Sequence, residues 1–116
     1  MNTESSFFTL LILIGGIYTI VGFISYIFPP RKINYLYGYR TSSSMKSQEL
    51  WKFAQAYSTK LMIFLGLILV VISVFGLLIT FSGTIDFYIG FSLFILSIVF
   101  LFYKTERALK EKFPEN

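Results

Sequence analysis

Three long stretches without a formally charged residue take up about half of this chain and confine it to a membrane. They cover residues 7–28, 61–81 and 87–103. A helix rises ~1.5 Å per residue and a bilayer core is ~30 Å thick, so the first two stretches can span it. The third is near the lower limit, and a buried soluble helix is its alternative, but the turn before it and the basic tail after it favour a span. We predict an all-α integral membrane three-helix bundle in a single membrane domain, residues 1–116.

The positions of lysine and arginine predict the orientation. Six lie in the loop 29–60, four in the tail 104–116, and none in the leader 1–6 or the turn 82–86. Positive residues stay in the cytoplasm, so the N-terminus is predicted outside, with the loop and the C-terminus cytoplasmic. A cleavable signal peptide needs a basic segment before its apolar core, and the leader has none. The first stretch is therefore predicted to be a span.

Composition argues against several classes of function. The chain has no cysteine and no histidine, and its six carboxylates are scattered. The commonest metal ligands and the usual general base are missing, so we expect no metal, no cofactor, no catalytic residues and no enzyme activity. The net charge of +4 comes from basic residues that flank apolar stretches. This arrangement is typical of membrane proteins, and no nucleic-acid partner is expected.

Small residues recur every seven positions in or just before the apolar stretches. Seven residues are nearly two helical turns, so each set falls on one face and lets helix backbones approach closely in lipid. The pattern predicts the seam of a left-handed bundle, and the same faces suit a homodimer or a larger oligomer. The residues are Gly15 and Gly22, then Gly66, Ser73 and Thr80, then Gly83, Gly90 and Ser97.

The second half of the loop has a helical pattern. Leu50, Phe53, Ala54 and Tyr57 share one face of a run over residues 45–57, and Ser44 is the predicted N-cap. We expect a cytoplasmic amphipathic helix between spans 1 and 2 that lies in the interface and bends near residues 58–59. The alternative is one straight helix into span 2, which would expose Leu50 and its aromatic neighbours unless a partner covered them.

The first half of the loop is the candidate binding region. Arg40, the hydroxyls of residues 41–44 and the start of a helix together predict a site for a phosphate or a carboxylate. The alternative is that Arg40 only fixes the loop to backbone carbonyls or to lipid phosphate. Gly38 is predicted to occupy a turn with positive φ. The nearby tyrosines suit either an interfacial belt or ligand stacking.

The residues of this loop resemble a known family. Gly38-Tyr39-Arg40-Thr41, Ser44, Trp51, Ala54-Gln55 and Lys60 before an apolar stretch are similar to the SdpI-type bacterial membrane proteins, named for an immunity protein against a secreted toxic peptide. The resemblance covers roughly residues 34–66. The chain departs from the pattern at residues 58–59, where a glycine is expected beside the lysine. The named immunity protein has more spans than this chain, which matches its C-terminal part.

The resemblance implies a multi-pass protein of the bacterial cytoplasmic (inner) membrane that protects against a membrane-active toxin peptide and signals to a cytosolic regulator. An alternative is a small lipid or small-molecule transporter or binding protein acting as an oligomer. The expected partners are the lipid bilayer with its anionic head groups, and a toxin peptide or cytosolic regulator. The expected ligand- or partner-binding residues are Asn34, Gly38, Tyr39, Arg40, Thr41, Ser44, Trp51, Gln55 and Lys60.

Overall fold

The chain folds into three long helices. A computed structural model describes residues 6–78 and 83–114. Helix α1 spans Ser6–Ile27, α2 spans Gln48–Gly76 and α3 spans Gly83–Lys112. Each is long and apolar enough to cross a membrane, which confirms the three predicted spans and the all-helical class. The end of the second predicted span, residues 79–81, and part of the predicted turn lie outside the described residues.

Helices α1 and α2 pack closely because glycines lie where their backbones meet. A Cβ atom at Gly15 would come within 2.9 Å of the carbonyl oxygen of Gly66. A Cβ atom at Gly22 would lie 2.5 Å from the side chain of Ile63. Only glycine allows this approach, and close packing is what holds helices together in lipid. The predicted small-residue seam is confirmed at these positions, whereas Thr80 lies outside the described residues.

Helix α3 is joined to α1 by polar contacts near its start and its middle. The backbone N–H of Phe7 donates to Oδ2 of Asp86 over 2.9 Å, and Asp86 is buried. The hydroxyls of Tyr18 and Ser97 are hydrogen-bonded to each other at 3.0 Å. The first contact satisfies an amide that a helix start leaves without an intrahelical partner. The carboxylate, expected in a turn, is therefore a cap on a neighbouring helix.

The predicted amphipathic interfacial helix between spans 1 and 2 is wrong. Helix α2 runs through residues 58–59 without a break, and all three helices are apolar. The alternative of one straight helix describes the structure, and the cover comes from the chain itself. Leu50 and Ala54 are buried against Tyr39 and Leu109. Because protein rather than lipid covers this face, the helix has no reason to lie in the interface.

The start of α2 also differs from the prediction. The N-cap of α2 is Ser47, whose side chain accepts a hydrogen bond from the N–H of Leu50, and not Ser44. Helix α3 includes most of the charged tail and ends at Lys112. This extension places the last turns of α3 beside the loop of residues 28–47. We call this region the loop end of the bundle.

Candidate functional site

The site at the loop end begins with a turn built by Asn34. Its Oδ1 accepts hydrogen bonds from the backbone N–H groups of Leu36 at 2.9 Å and Tyr37 at 2.7 Å. The hydroxyl of Tyr37 donates to the carbonyl of Phe28 over 2.8 Å, which returns the chain to the end of α1. An asparagine side chain that accepts from the next backbone amides is a common turn device. Asn34 therefore shapes the loop that presents the next residues.

Gly38 then turns the chain onto α2. Its φ of +105° confirms the predicted positive-φ turn. A Cβ atom here would lie 2.6 Å from Oε1 of Gln55 and 2.7 Å from Cγ of Pro30. Both the backbone conformation and the space therefore require glycine. The turn brings the backbone of residue 39 directly over α2.

Gln55 fixes the backbone of Tyr39 with both ends of its amide. The N–H of Tyr39 donates to Oε1 of Gln55, and Nε2 of Gln55 donates to the carbonyl of Tyr39, each over 2.7 Å. Gln55 is buried on α2, so these bonds satisfy a polar group that would otherwise be costly to bury. These two reciprocal hydrogen bonds resemble those that pair residues on adjacent β-strands, with a side-chain amide in place of the second strand. It sets the position of residues 39 and 40.

Thr41 and Ser44 form a compact hydroxyl turn after this contact. The N–H of Thr41 donates to Oγ of Ser44 at 2.9 Å, and the N–H of Ser44 donates to Oγ1 of Thr41 at 3.1 Å. The hydroxyl of Ser44 donates toward the carbonyl of Tyr39 at 3.1 Å, and this serine is fully buried. Ser44 therefore stabilises the loop, because its hydroxyl forms hydrogen bonds within the loop and not with α2.

The hydroxyls of Tyr39 and Thr41 meet a carboxylate from α3. Oε2 of Glu106 accepts from the Tyr39 hydroxyl at 2.8 Å and from the Thr41 hydroxyl at 3.1 Å. The Tyr39 ring also packs against Phe102, with ring centroids 5.3 Å apart. Burial raises the pKa of the Tyr39 phenol above its ordinary value, and the hydrogen bond and negative charge of Glu106 raise it further. Tyr39 is therefore a neutral donor to Glu106.

Tyr39, Thr41, Ser44 and Glu106 form what we call the hydroxyl cluster, and Arg40 is not part of it. Its side chain is exposed, and its guanidinium donates to the backbone carbonyl of Tyr35. This contact matches the alternative in which Arg40 fixes the loop to a backbone carbonyl. Four of its five N–H donors have no partner among the described residues. Arg40 can therefore still take an anion or a carbonyl group.

Trp51 and Lys60 lie apart from the hydroxyl cluster. Trp51 is fully buried, and its indole N–H donates to the carbonyl of Pro30. It therefore ties the double proline after α1 to the first turn of α2. Lys60 is exposed and lines a separate cleft between α1 and α2. The structure thus groups five of the nine predicted residues and places the others around them. The five are Gly38, Tyr39, Thr41, Ser44 and Gln55.

A cleft of about 480 Å³ opens beneath this group, among all three helices. Its upper wall carries Tyr39 and Arg40, and we call it the central cleft. The deeper walls are mostly apolar, with side chains such as Met62, Phe94 and Ile98. An apolar cavity with a few polar groups at one end is typical of a ligand site.

Sequence reasoning missed Glu106, which accepts two hydrogen bonds at the centre of the cluster. The residue lies in the segment read as a tail, yet a signal is present there. Leu101, Thr105 and Leu109 recur every four residues on one helical face, and all three are buried. A buried face that continues beyond the third apolar stretch indicates that α3 packs on the protein up to Leu109. Glu106 follows directly after one of these positions.

Comparison with known proteins assigns the chain to a family. A family model described as the SdpI/YfhL protein family matches residues 31–104, which include Tyr39, Thr41, Ser44, all of α2 and most of α3, but neither α1 nor Glu106. The chain is 44% identical over 96 residues to "Uncharacterized protein YfhL" of Bacillus subtilis (strain 168), covering 83% of this chain and 82% of that protein. No solved structure matches the chain significantly. The chain therefore belongs to the SdpI/YfhL protein family.

Proposed function

We propose that this protein is a bacterial membrane immunity protein that binds a membrane-active toxin peptide at the loop end of its bundle. The observation that carries the proposal is the central cleft, in a member of the SdpI/YfhL family. Its walls join apolar side chains from three helices to the polar groups of Tyr39 and Arg40. A peptide that inserts into lipid offers the matching chemistry, with apolar side chains and backbone carbonyls.

Arg40 is the residue that we expect to contact the peptide. It lines the cleft, is exposed and has a guanidinium with donors to spare. A carbonyl or carboxylate of the peptide can therefore bind there without breaking the Tyr39–Glu106 contact. The hydroxyl cluster fixes the residues on either side of Arg40 and so holds Arg40 at the cleft mouth. This role is binding rather than catalysis.

The distribution of charge supports a cytoplasmic loop end. Ten lysines and arginines flank the spans on this side only. In this orientation the protein would intercept a peptide that has crossed the bilayer core, and the exposed loop would be available to a cytosolic regulator. A reporter that is active only in the cytoplasm should be active when it is fused to the C-terminus. Activity only outside the cytoplasm would reverse the orientation.

Survival of a sensitive bacterial strain tests the immunity proposal. Expression of the wild-type chain should raise the concentration of a membrane-active peptide needed to stop growth. Arg40→Ala should lose about tenfold of that protection, the size expected for one charge-assisted hydrogen bond. Ile98→Trp should fill the cleft and lose protection as well. Lys46→Ala also removes one positive charge, from an exposed position outside the cleft, and should keep the protection. Survival that is unchanged by the wild-type chain would count against the proposal.

A further inference from the structure

A second cleft, of about 700 Å³, lies between the end of α1 and the first half of α2. We call it the α1–α2 cleft. One wall consists of Tyr26, Pro29 and Pro30, which follow the last glycine contact of α1. The facing wall is a row on α2 at every fourth position. The row contains Gln48, Lys52, Ala56 and Lys60.

Three cations line this one cleft. Lys52 and Lys60 flank Ala56, whose small side chain leaves space between them, and Arg31 follows the double proline. In residues 6–78 and 83–114, none of these three forms an ion pair. A carboxylate from the chain would be the usual partner for such a cation, as Glu111 is for Arg107. Here the positive charges are left for an external anion.

The backbone beside Arg31 is held in place by α2. The side-chain amide of Gln48 donates to the carbonyl of Arg31, and the Trp51 indole donates to the carbonyl of Pro30. Both contacts come from the first turns of α2, the same helix that carries the lysines. The backbone segments that carry the arginine and the two lysines are therefore held together. Such preorganisation reduces the entropy lost on binding.

Lys60 and Lys52 lie ~12 Å apart along the axis of α2. Because α2 is long and apolar enough to cross a membrane, a ligand that contacts both lysines would extend toward the bilayer core. Side chains on a helix point toward its N-terminus, so Lys60 extends from the apolar part of α2 toward Lys52. Long basic side chains near a helix end reach the interface in this way. The cleft thus presents positive charge beside exposed apolar side chains such as Phe64, one helical turn after Lys60.

From this arrangement we infer that the α1–α2 cleft binds an anionic phospholipid, with its phosphate among Arg31, Lys52 and Lys60 and its acyl chains along α1 and α2. The charge, the adjoining apolar surface and the volume of the cleft all match such a lipid. A free phosphate would not fill the cleft. The α1–α2 cleft shares Ser25, Gln55 and Thr59 with the central cleft, but the three cations line only the α1–α2 cleft. The lipid site therefore does not depend on the immunity proposal. It selects lipid by head-group charge.

Native mass spectrometry of the purified full chain tests the lipid site. The chain in detergent is titrated with either phosphatidylglycerol or phosphatidylcholine. The fraction of protein that keeps bound lipid after release from the detergent is then measured. Phosphatidylglycerol should be retained and phosphatidylcholine should not. Lys52→Gln with Lys60→Gln should weaken retention about 25-fold, at roughly fivefold for each cation near the surface. Lys46→Gln with Lys110→Gln removes the same charge elsewhere and should leave retention unchanged.

A second variant separates the cleft from general surface charge. Ala56→Phe fills the space between the two lysines but keeps both charges, and it should also weaken retention of phosphatidylglycerol. Helical content measured by circular dichroism shows whether each variant is folded. Equal retention of the two lipids, equal loss in both double variants, or full retention by a folded Ala56→Phe protein would each overturn the inference.

Discussion

The hydroxyl of Tyr39 donates a hydrogen bond of 2.8 Å to the carboxylate of Glu106, a residue 67 positions later in the chain. This contact joins the loop between the first two helices to the last turns of the third. The same carboxylate accepts from Thr41, so the loop is attached at two points. The position of α3 and the conformation of the loop are therefore coupled. A ligand that displaced either hydroxyl would weaken this attachment.

Removing the Tyr39 hydroxyl should destabilise the fold without opening a large cavity. We expect Tyr39→Phe to lower the free energy of unfolding by about 1–2 kcal/mol, because a half-buried carboxylate loses one of its two donors. Tyr35→Phe is the matched control, since Tyr35 is 80% exposed and its hydroxyl has no partner among the described residues. Unfolding in detergent micelles, followed by circular dichroism, measures both. An equal effect of the two changes would contradict a stabilising role of the Tyr39–Glu106 hydrogen bond.

The stability of the protein should fall at alkaline pH because of Tyr39. Its phenol has a pKa raised above the ordinary value of 10.0, chiefly by burial. Below that value the phenol is protonated in both states and its contribution is fully present. As the pH rises beyond it, the unfolded chain releases the proton while the folded chain keeps it, so unfolding becomes more favourable. Tyr39→Phe should show a weaker decline between about pH 9 and about pH 11. An identical decline in that variant would show that groups other than Tyr39 cause the loss of stability at alkaline pH.

The three spans and their seam could be predicted because they depend on local patterns. Apolar length identifies a span, and glycine spacing identifies the face of closest approach, as Gly15 and Gly66 show. The positive φ of Gly38 was predictable from a glycine between tyrosines in a polar loop. None of these inferences needs knowledge of what lies across the bundle.

The course of α2 and the role of Glu106 could not be predicted in the same way. The apolar face of residues 50–57 suits either lipid or protein, and the choice depends on whether α3 extends far enough to cover it. Leu109 provides that cover, from a segment that composition alone describes as a charged tail. Likewise, the hydroxyls near Arg40 predict an anion, but nothing local indicates that Glu106 of the chain itself accepts from them. Long-range contacts decided both points.

A methyl group at Gly38 should disrupt the site. Gly38→Ala places a Cβ atom in a left-handed conformation and 2.6 Å from Oε1 of Gln55. The expected loss is about 2 kcal/mol or more in the free energy of unfolding. Gly16→Ala is the control, because a Cβ atom there meets nothing within 4 Å. That change should be neutral or should stabilise by about 0.5–1 kcal/mol, as expected for alanine in a helix. A similar loss from both changes would show that the turn at Gly38 has no special requirement.

Asp86 should stabilise the packing of α3 on α1 through its contact with the N–H of Phe7. Asp86→Ala removes the acceptor from a buried position and should lower the free energy of unfolding by about 1–3 kcal/mol. Asp86→Asn keeps an oxygen in nearly the same place, so its loss should be clearly smaller. Hydrogen exchange in micelles provides a local measurement, since the amide of Phe7 should exchange faster in Asp86→Ala than in Asp86→Asn. Equal exchange in the two variants would mean that the negative charge, rather than the hydrogen bond, holds the start of α1.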